Sequence, residues 1–417
     1  MRLLISLAAN HRWKIFQLDV KSAFLNGVLE EEVYVEQPEG FLVEGEESKV
    51  YRLKKALYGL KQAPRVWNAR IDNYLQQNGF LKCPYEHSVY TKIGDKGGFL
   101  VLCLYVDDLL FTGNSEHLFA DFKQSMFKEF EMTDNGLMSY FLGIEVKQEN
   151  DGIFISQKKY MRDILEKFKM ENCNAVSIPV GTGVKLSKEG DGKLVDSTLY
   201  KSLVGSLRYL TITRPDILYG VGLVSRFMEI PRESYWLAAK RILRYIQGTL
   251  NFGLFYDYGK DAKLVGYSDS DWGGDEEETK STTGYVFYLG STAFSWTSKK
   301  QAVVALSSCE AEYVALSSTV CEAIWLRNLL ESLNHPQEES TEIHVEGANK
   351  LAKNPIQHGR SKHIHIRFHF LRDHVNKQKT IKLVYCPTLE QVADIFTKPL
   401  PAESFTWLRQ MLGMKEI

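Results

Sequence analysis

LVLCLYVDDLLFTG, residues 100–113, places two adjacent aspartates, Asp107 and Asp108, between two apolar runs. The runs read as β-strands, so the pair sits where a buried hairpin turns. Two-residue hairpin loops ordinarily use glycine or asparagine to supply positive φ, and here no glycine follows before Gly113. Adjacent carboxylates among apolar β-formers, with no Lys or Arg close in sequence, are costly unless a cation compensates them. A divalent metal meets that need. A solvated Asp-Asp turn is the competing reading of the same residues, and the other segments have to decide between them.

The bulk numbers narrow the classes. A chain of 417 residues is long enough for two or three domains, and 44% hydrophobic with 25% charged residues is an ordinary globular composition. The net charge of −1 points to neither nucleic acid nor membrane, so any polyanion site must be local. Basic clusters occur at residues 49–61, Lys158–Lys159 and Lys299–Lys300, offset by acidic runs at 44–47 and 275–278. The six cysteines are scattered with no CxxC pair, which argues for reduced thiols and against a disulfide framework or zinc ribbon. The apolar start runs straight into a strand-like segment and reads as a buried helix, not a signal peptide. No apolar run reaches transmembrane length, so a soluble protein is expected.

In chain order, residues 3–9 predict a helix and 14–20 a strand carrying Asp19. A helix follows through Trp67, Ile71 and Leu75, then a strand at 87–92, the hairpin, and an amphipathic helix over 115–132 with an inward aromatic stripe. Acids on separate strands of such an alternation are what a polymerase palm needs, because two metals roughly 3.5–4 Å apart must be held by rigid carboxylates. FLGIEV, a hairpin over 150–152 and a helix over 159–170 come next. Residues 172–192 read as a linker, and 199–210, 215–228 and 233–247 as a helical layer. Its arginines at 208, 214, 226, 232, 241 and 244 read either as a duplex-facing set or as surface solubilisers.

Near residue 252 the period changes: strands at 251–256, 263–269, 284–289 and 293–296, a long helix over 307–333, a strand at 341–345, a helix at 363–375, a strand at 379–385 and a helix at 389–397. This is a mixed-sheet nuclease layout. Asp269 ends the 263–269 strand, Glu312 lies early in the long helix and Asp394 in the last. Glu310 and Glu312 point to different helix faces, with Glu312 toward the sheet. His365 and His369 have the i, i+4 spacing of a helical metal pair, but only Asp373 flanks them, and surface or nucleic-acid contact is preferred over zinc.

With these residues in place, the chain resembles the C-terminal part of the Pol polyprotein of copia-type LTR retrotransposons, the reverse transcriptase and RNase H region. The stretches carrying the resemblance are FQLDVKSAFLNGVLEEEVYVEQPEGF (16–41), LYGLKQAPRVWN (57–68), LYVDDLLFTG (104–113), YFLGIEV (140–146), SLVGSLRYLTITRPDI (202–217), YSDSDWGGD (267–275), KSTTGYVF (280–287), ALSSCEAEYVAL (305–316) and QVADIFTKPL (391–400). The resemblance implies a polymerase triad of Asp19, Asp107 and Asp108 binding two Mg²⁺, with Mn²⁺ an alternative. It implies that Phe24 is a steric gate against the 2′-hydroxyl, that Gly59, Gln62 and Pro64 help seat template base and dNTP, and that 141–145 is a primer grip. Asp269, Glu312 and Asp394 become three of four RNase H carboxylates holding two further metals. Partners implied are an RNA template, a DNA primer and an RNA–DNA hybrid, with a second copy of the chain or an upstream Pol segment beside them; no membrane is involved, and the setting is intracellular, a cytoplasmic particle or the nucleus.

The fold class expected is α+β: a polymerase palm with partial fingers (1–150), a mostly helical thumb and connection (151–255), an RNase H-like mixed five-stranded sheet (256–400) and a C-terminal tail (401–417). Two departures qualify the activity. Met1 falls inside the family's reverse transcriptase domain, so part of the fingers and its triphosphate-binding cations is expected to be missing, and a weakly active or inactive copy is expected, with a catalytically dead nucleic-acid-binding remnant as the alternative. Where the family has a strand ending in Val-Asp-Asn, this chain reads IHVEGANKLAKNP (343–355), about two residues shorter and without that aspartate; Glu346 is the candidate substitute, and loss of RNase H activity is the expectation.

Overall fold

The computed structural model describes residues 1–183, 186–275, 277–346 and 370–417. The chain forms two compact units, Trp13–Met138 with Ser332–Asn334, and Met1–Arg12, Ser139–Glu331 and His335–Ile417. The opening helix α1 (Arg2–His11) belongs to the second of these.

The smaller unit is a six-stranded antiparallel sheet under two helices. Its elements are β1 (Phe16–Val20), the short pair β2 (Tyr34–Val35) and β3 (Tyr51–Arg52), α2 (Ala63–Gln77), β4 (Leu81–Lys82), β5 (Val89–Ile93), β6 (Phe99–Tyr105), β7 (Asp108–Gly113), α3 (Glu116–Glu129) and β8 (Met132–Leu137). The sheet order is β4-β5-β6-β7-β1-β8. Pro64 occupies the first turn of α2, where its missing N–H is harmless, and Ser115 caps α3 by accepting from Leu118 N. Period-two alternation sends Leu18, Val20, Leu109 and Phe111 into a core with Trp67, Ile71, Phe122 and Met126. Asp19 and Asp108 therefore fall on the opposite face of the sheet.

The larger unit holds two five-stranded sheets and a helical layer. The first sheet, ordered β18-β12-β11-β10-β9, is built from β9 (Tyr140–Phe141), β10 (Ile144–Gln148), β11 (Gly152–Ser156), β12 (Phe252–Asp257) and β18 (Met414–Glu416). The second, ordered β15-β14-β13-β16-β17, uses β13 (Leu264–Ser270), β14 (Thr282–Leu289), β15 (Ala293–Lys300), β16 (Thr341–Val345) and β17 (Ile381–Tyr385). Its first three strands meander antiparallel, while β16 runs parallel to β13 and β17 to β16. That is the expected RNase H-like mixed sheet. Among the described residues its named α-helices are α4 (Lys158–Lys167), α5 (Ser197–Leu210), α6 (Leu218–Val224), α7 (Glu233–Gln247), α8 (Ser308–Ser332) and α9 (Ala402–Met411), beside α1. No helix among the described residues is long and apolar enough to cross a membrane.

Three expectations change. Residues 389–397 are not one helix: two 3₁₀ turns, Thr388–Glu390 and Val392–Phe396, flank an extended Gln391. Its side chain accepts from Ala393 N and donates to Ser268 O at 3.2 Å, so tertiary hydrogen bonds break the helical run. Residues 401–417 carry α9 and β18, because Phe405 and Leu408 have an apolar face to bury and Met414 pairs with Leu254. Finally, Arg214 is neither surface nor duplex-facing: it is fully buried and binds both oxygens of Asp216, at 3.0 and 2.8 Å.

Candidate active sites

In the smaller unit β1 and β7 are adjacent, and their register sets Asp19 directly opposite Asp108. The β6–β7 hairpin pairs Tyr105 with Asp108, so its two-residue loop is Val106 and Asp107. The missing glycine is explained: Val106 itself takes φ +56°. A β-branched residue in that region is strained, on the order of 1–3 kcal/mol. Two hydrogen bonds hold the turn. Trp67 Nε1 donates to Val106 O at 2.7 Å, and Val20 N donates to Asp107 O at 2.9 Å. Gln17 Nε2 steadies Asp108 Oδ1 at 2.9 Å. Sequence reading missed Gln17 and the Trp67 contact, since alternation places Gln17 on the Asp19 face without saying what it meets.

All three aspartates are half-buried, and none is ion-paired among the described residues. Burial, then the charges of Asp107 and Asp108, push the Asp19 carboxyl up; burial, then Asp107, do the same to Asp108. Lys21 offsets only part of this on Asp19, and such crowded oxygen ligands fit a hard divalent cation in charge and type. No group of three or more His, Cys, Asp or Glu among the described residues is gathered closely enough to hold a metal as it stands. Phe24, in the 3₁₀ turn Ala23–Asn26 after β1, packs against Tyr58 with ring centroids 4.8 Å apart. Gly59 has φ +93°, Gln62 directly precedes α2 without a capping side-chain bond, and Pro64 lies in its first turn. On β9 and β10, residues 141–145 belong to the larger unit.

In the larger unit Asp269 lies near the end of β13, opposite Gly284 on β14. The 392–397 segment crosses close over this point because Gly284 has no side chain: a Cβ there would meet Thr397 Cγ2 at 2.7 Å and Ala393 O at 2.9 Å. Asp394 is thereby brought to Asp269, and burial, then the Asp269 charge, push its carboxyl up to about 7. Glu346 directly follows β16, whose register pairs Tyr267 with His344, two residues before Asp269 and Glu346 respectively. Burial and the Asp269 charge raise its carboxyl too. Lys398, unremarked in the sequence reading although it follows Asp394 at i+4, binds Asp394 Oδ2 at 2.9 Å and lies 4.0 Å from Asp269 Oδ2. Glu312 is half-buried in the second turn of α8, and its charge helps raise the Cys309 thiol after burial. His365 and His369 lie outside the described residues.

A family model described as reverse transcriptase (RNA-dependent DNA polymerase) matches residues 1–182. Over 95% of the chain the fold is similar to that of a foamy viral protease–reverse transcriptase solved with an RNA/DNA hybrid, with TM-score 0.51, 15% identity and 48% of that chain covered. The fold is thus that of a reverse transcriptase. The retrovirus-related Pol polyprotein of transposon TNT 1-94 from Nicotiana tabacum is 42% identical over 99% of the chain, and a protein of transposon Ty5-1 from Saccharomyces cerevisiae is 36% identical over 73% of the chain and its own whole length. The chain belongs to the copia-like family of retrovirus-related transposon Pol proteins. It spans about a third of the length of the tobacco relative, 32%.

Proposed function

We propose that the chain is an RNA-directed DNA polymerase with an RNase H domain. The observation that carries this reading is the cross-strand Asp19–Asp108 pair beside the pinned Val106–Asp107 turn. In this reading residues 13–138 are palm and fingers segments, the helical layer of 158–247 is thumb and connection, and the β13–β17 sheet is the nuclease. Asp19, Asp107 and Asp108 in one site, and Asp269, Glu312 and Asp394 in the other, would each hold two Mg²⁺, or Mn²⁺, which when bound neutralise the attacking and leaving oxygens of phosphoryl transfer. Gln17 fixes the orientation of Asp108, and the strained turn keeps Asp107 presented beside Asp19. Phe24, backed by Tyr58, excludes the 2′-hydroxyl of a ribonucleotide. Gly59, Gln62 and Pro64 seat template base and dNTP on an exposed surface ahead of α2. The substrates are an RNA template, a DNA primer and the RNA–DNA hybrid, inside the cell.

Primer extension on poly(rA)/oligo(dT) with Mg²⁺ tests the polymerase. Wild-type incorporation abolished by Asp107→Asn supports it, and equal incorporation by both proteins sinks it. Cleavage of a labelled RNA–DNA hybrid, with Glu312→Gln as control, tests the nuclease. The competing outcome is a remnant that binds hybrid without turnover. Hybrid binding with neither extension nor cleavage would establish it.

A further inference from the structure

The nuclease carboxylates already hold a cation of their own. Asp269 and Asp394 are 7% and 4% exposed, so neither can rely on bulk water for its charge. Thr397 Oγ1 donates to Asp269 Oδ2 at 2.5 Å, and Lys398 Nζ reaches Asp394 Oδ2 at 2.9 Å and lies 4.0 Å from Asp269 Oδ2. The remaining oxygen of Asp394, Oδ1, is buried with no hydrogen-bond partner, and so is Oε1 of Glu346. One ammonium therefore binds Asp394, lies near Asp269 and acts on the charge of Glu346, while an oxygen of Asp394 and one of Glu346 stay unsatisfied. Lysine suits this place, being a point charge on a flexible stem. Its side chain is 38% exposed, so the stem can swing outward while Asp394 keeps its backbone place.

We propose that Lys398 is a built-in counter-cation of this site, resting among the carboxylates in the metal-free protein and withdrawing when a divalent cation binds. The proposal rests on the nuclease reading of the carboxylate group. A divalent ion bonds carboxylate oxygens at roughly 2.0–2.6 Å. An ammonium on the same Asp394 oxygen competes for the lone pairs a metal would use and repels it at close range. Lys398 then sets two things at once, the stability of the carboxylate group without metal and the concentration at which metal enters. The unpartnered Asp394 Oδ1 is the place where metal contact begins, before the lysine leaves Oδ2.

The test is Mn²⁺ binding to the full chain, followed by loss of the free-ion electron paramagnetic resonance signal. An Asp107→Asn/Asp108→Asn background keeps the polymerase carboxylates from contributing, and Asp269→Asn, which abolishes the event, assigns it. Lys398→Met is expected to bind Mn²⁺ on the order of tenfold more tightly and to melt at lower temperature without metal, the difference disappearing as Mn²⁺ saturates. Lys398→Arg, which keeps the charge, retains wild-type affinity and covers the case in which the methionine variant fails to fold. Unchanged or weaker binding by Lys398→Met, or tighter binding by Lys398→Arg, overturns the proposal. Hybrid cleavage is scored separately: tightened binding in a chain that cleaves no hybrid upholds the counter-cation and refutes the nuclease reading.

Discussion

Trp67→Phe should disable the polymerase site out of proportion to the stability it removes. Trp67 is 2% exposed, stacks edge-on against Phe130 at 5.5 Å, and its indole N–H is the donor to Val106 O. Phenylalanine deletes that donor and part of the ring. Val106 is 42% exposed, so water can replace the lost partner and the hydrogen bond accounts for about 1 kcal/mol. The smaller ring leaves a gap costing a further ~1–2 kcal/mol, less than a full truncation to alanine. A loss of roughly 2–3 kcal/mol leaves a chain of this size folded. The rate is affected differently, because the bond holds Val106 at φ +56° against strain of about 1–3 kcal/mol. Released, the turn relaxes and carries Asp107 with it, and a shift of about 1 Å in a catalytic group costs on the order of 100-fold. Val106→Gly supplies the internal control, since glycine adopts that φ without strain. In the Val106→Gly background Trp67→Phe should cost about 1 kcal/mol less, a coupling measurable in a double-mutant cycle. The assay is single-nucleotide primer extension together with urea unfolding followed by circular dichroism. A Trp67→Phe protein that extends primers at the wild-type rate, or whose loss is the same with valine or glycine at 106, refutes the reasoning.

Gly284→Val should abolish hybrid cleavage while sparing extension, because its Cβ would press on the backbone Ala393 O at 2.9 Å, which cannot yield as a side-chain tip can. Asp216→Ala should destabilise by about 3–5 kcal/mol in urea titrations, since it strands the fully buried Arg214 guanidinium. Burial pushes the Asp216 carboxyl up, but Arg214 and Tyr245 outweigh it and hold it below the usual carboxylate range. Its contribution is therefore complete above an unfolded value near 3.9 and lost as pH falls through the depressed folded value. His335 acts in the same direction over a higher pH window: burial, then the neighbouring His11 ring at 4.5 Å, push it down to about 4. The folded state prefers the neutral ring, so the melting temperature should be flat above the unfolded value of about 6.5 and fall as pH drops toward 4. His335→Leu should flatten that part of the profile, and an unchanged profile would remove this histidine from the account.

Much of the site was legible because carboxylates in apolar strands stand out against period-two alternation. The LVLCLYVDDLLFTG run placed the hairpin, and KIFQLDV placed Asp19 on a strand. The helix at 389–397 was misread because Gln391 answers to Ser268, 123 residues away, which no local propensity encodes. Arg214 is grouped by sequence with arginines that are duplex-facing or surface because its partners, Thr249 and Tyr245 as well as Asp216, assemble only when α7 packs in the core.

The sequence by itself determined most of the strands and helices, the faces they bury and the acids they carry, since those follow from side-chain periodicity and local caps. Only the tertiary structure decided that Val106 bears the turn strain, that Trp67 holds it, that Gly284 admits the Asp394 segment, and that Lys398 lies between Asp394 and Asp269. Each of these is a contact between elements distant in sequence or a consequence of one. Sequence pattern fixes the direction a side chain takes from its own element, whereas the partner it meets is fixed by how the elements pack.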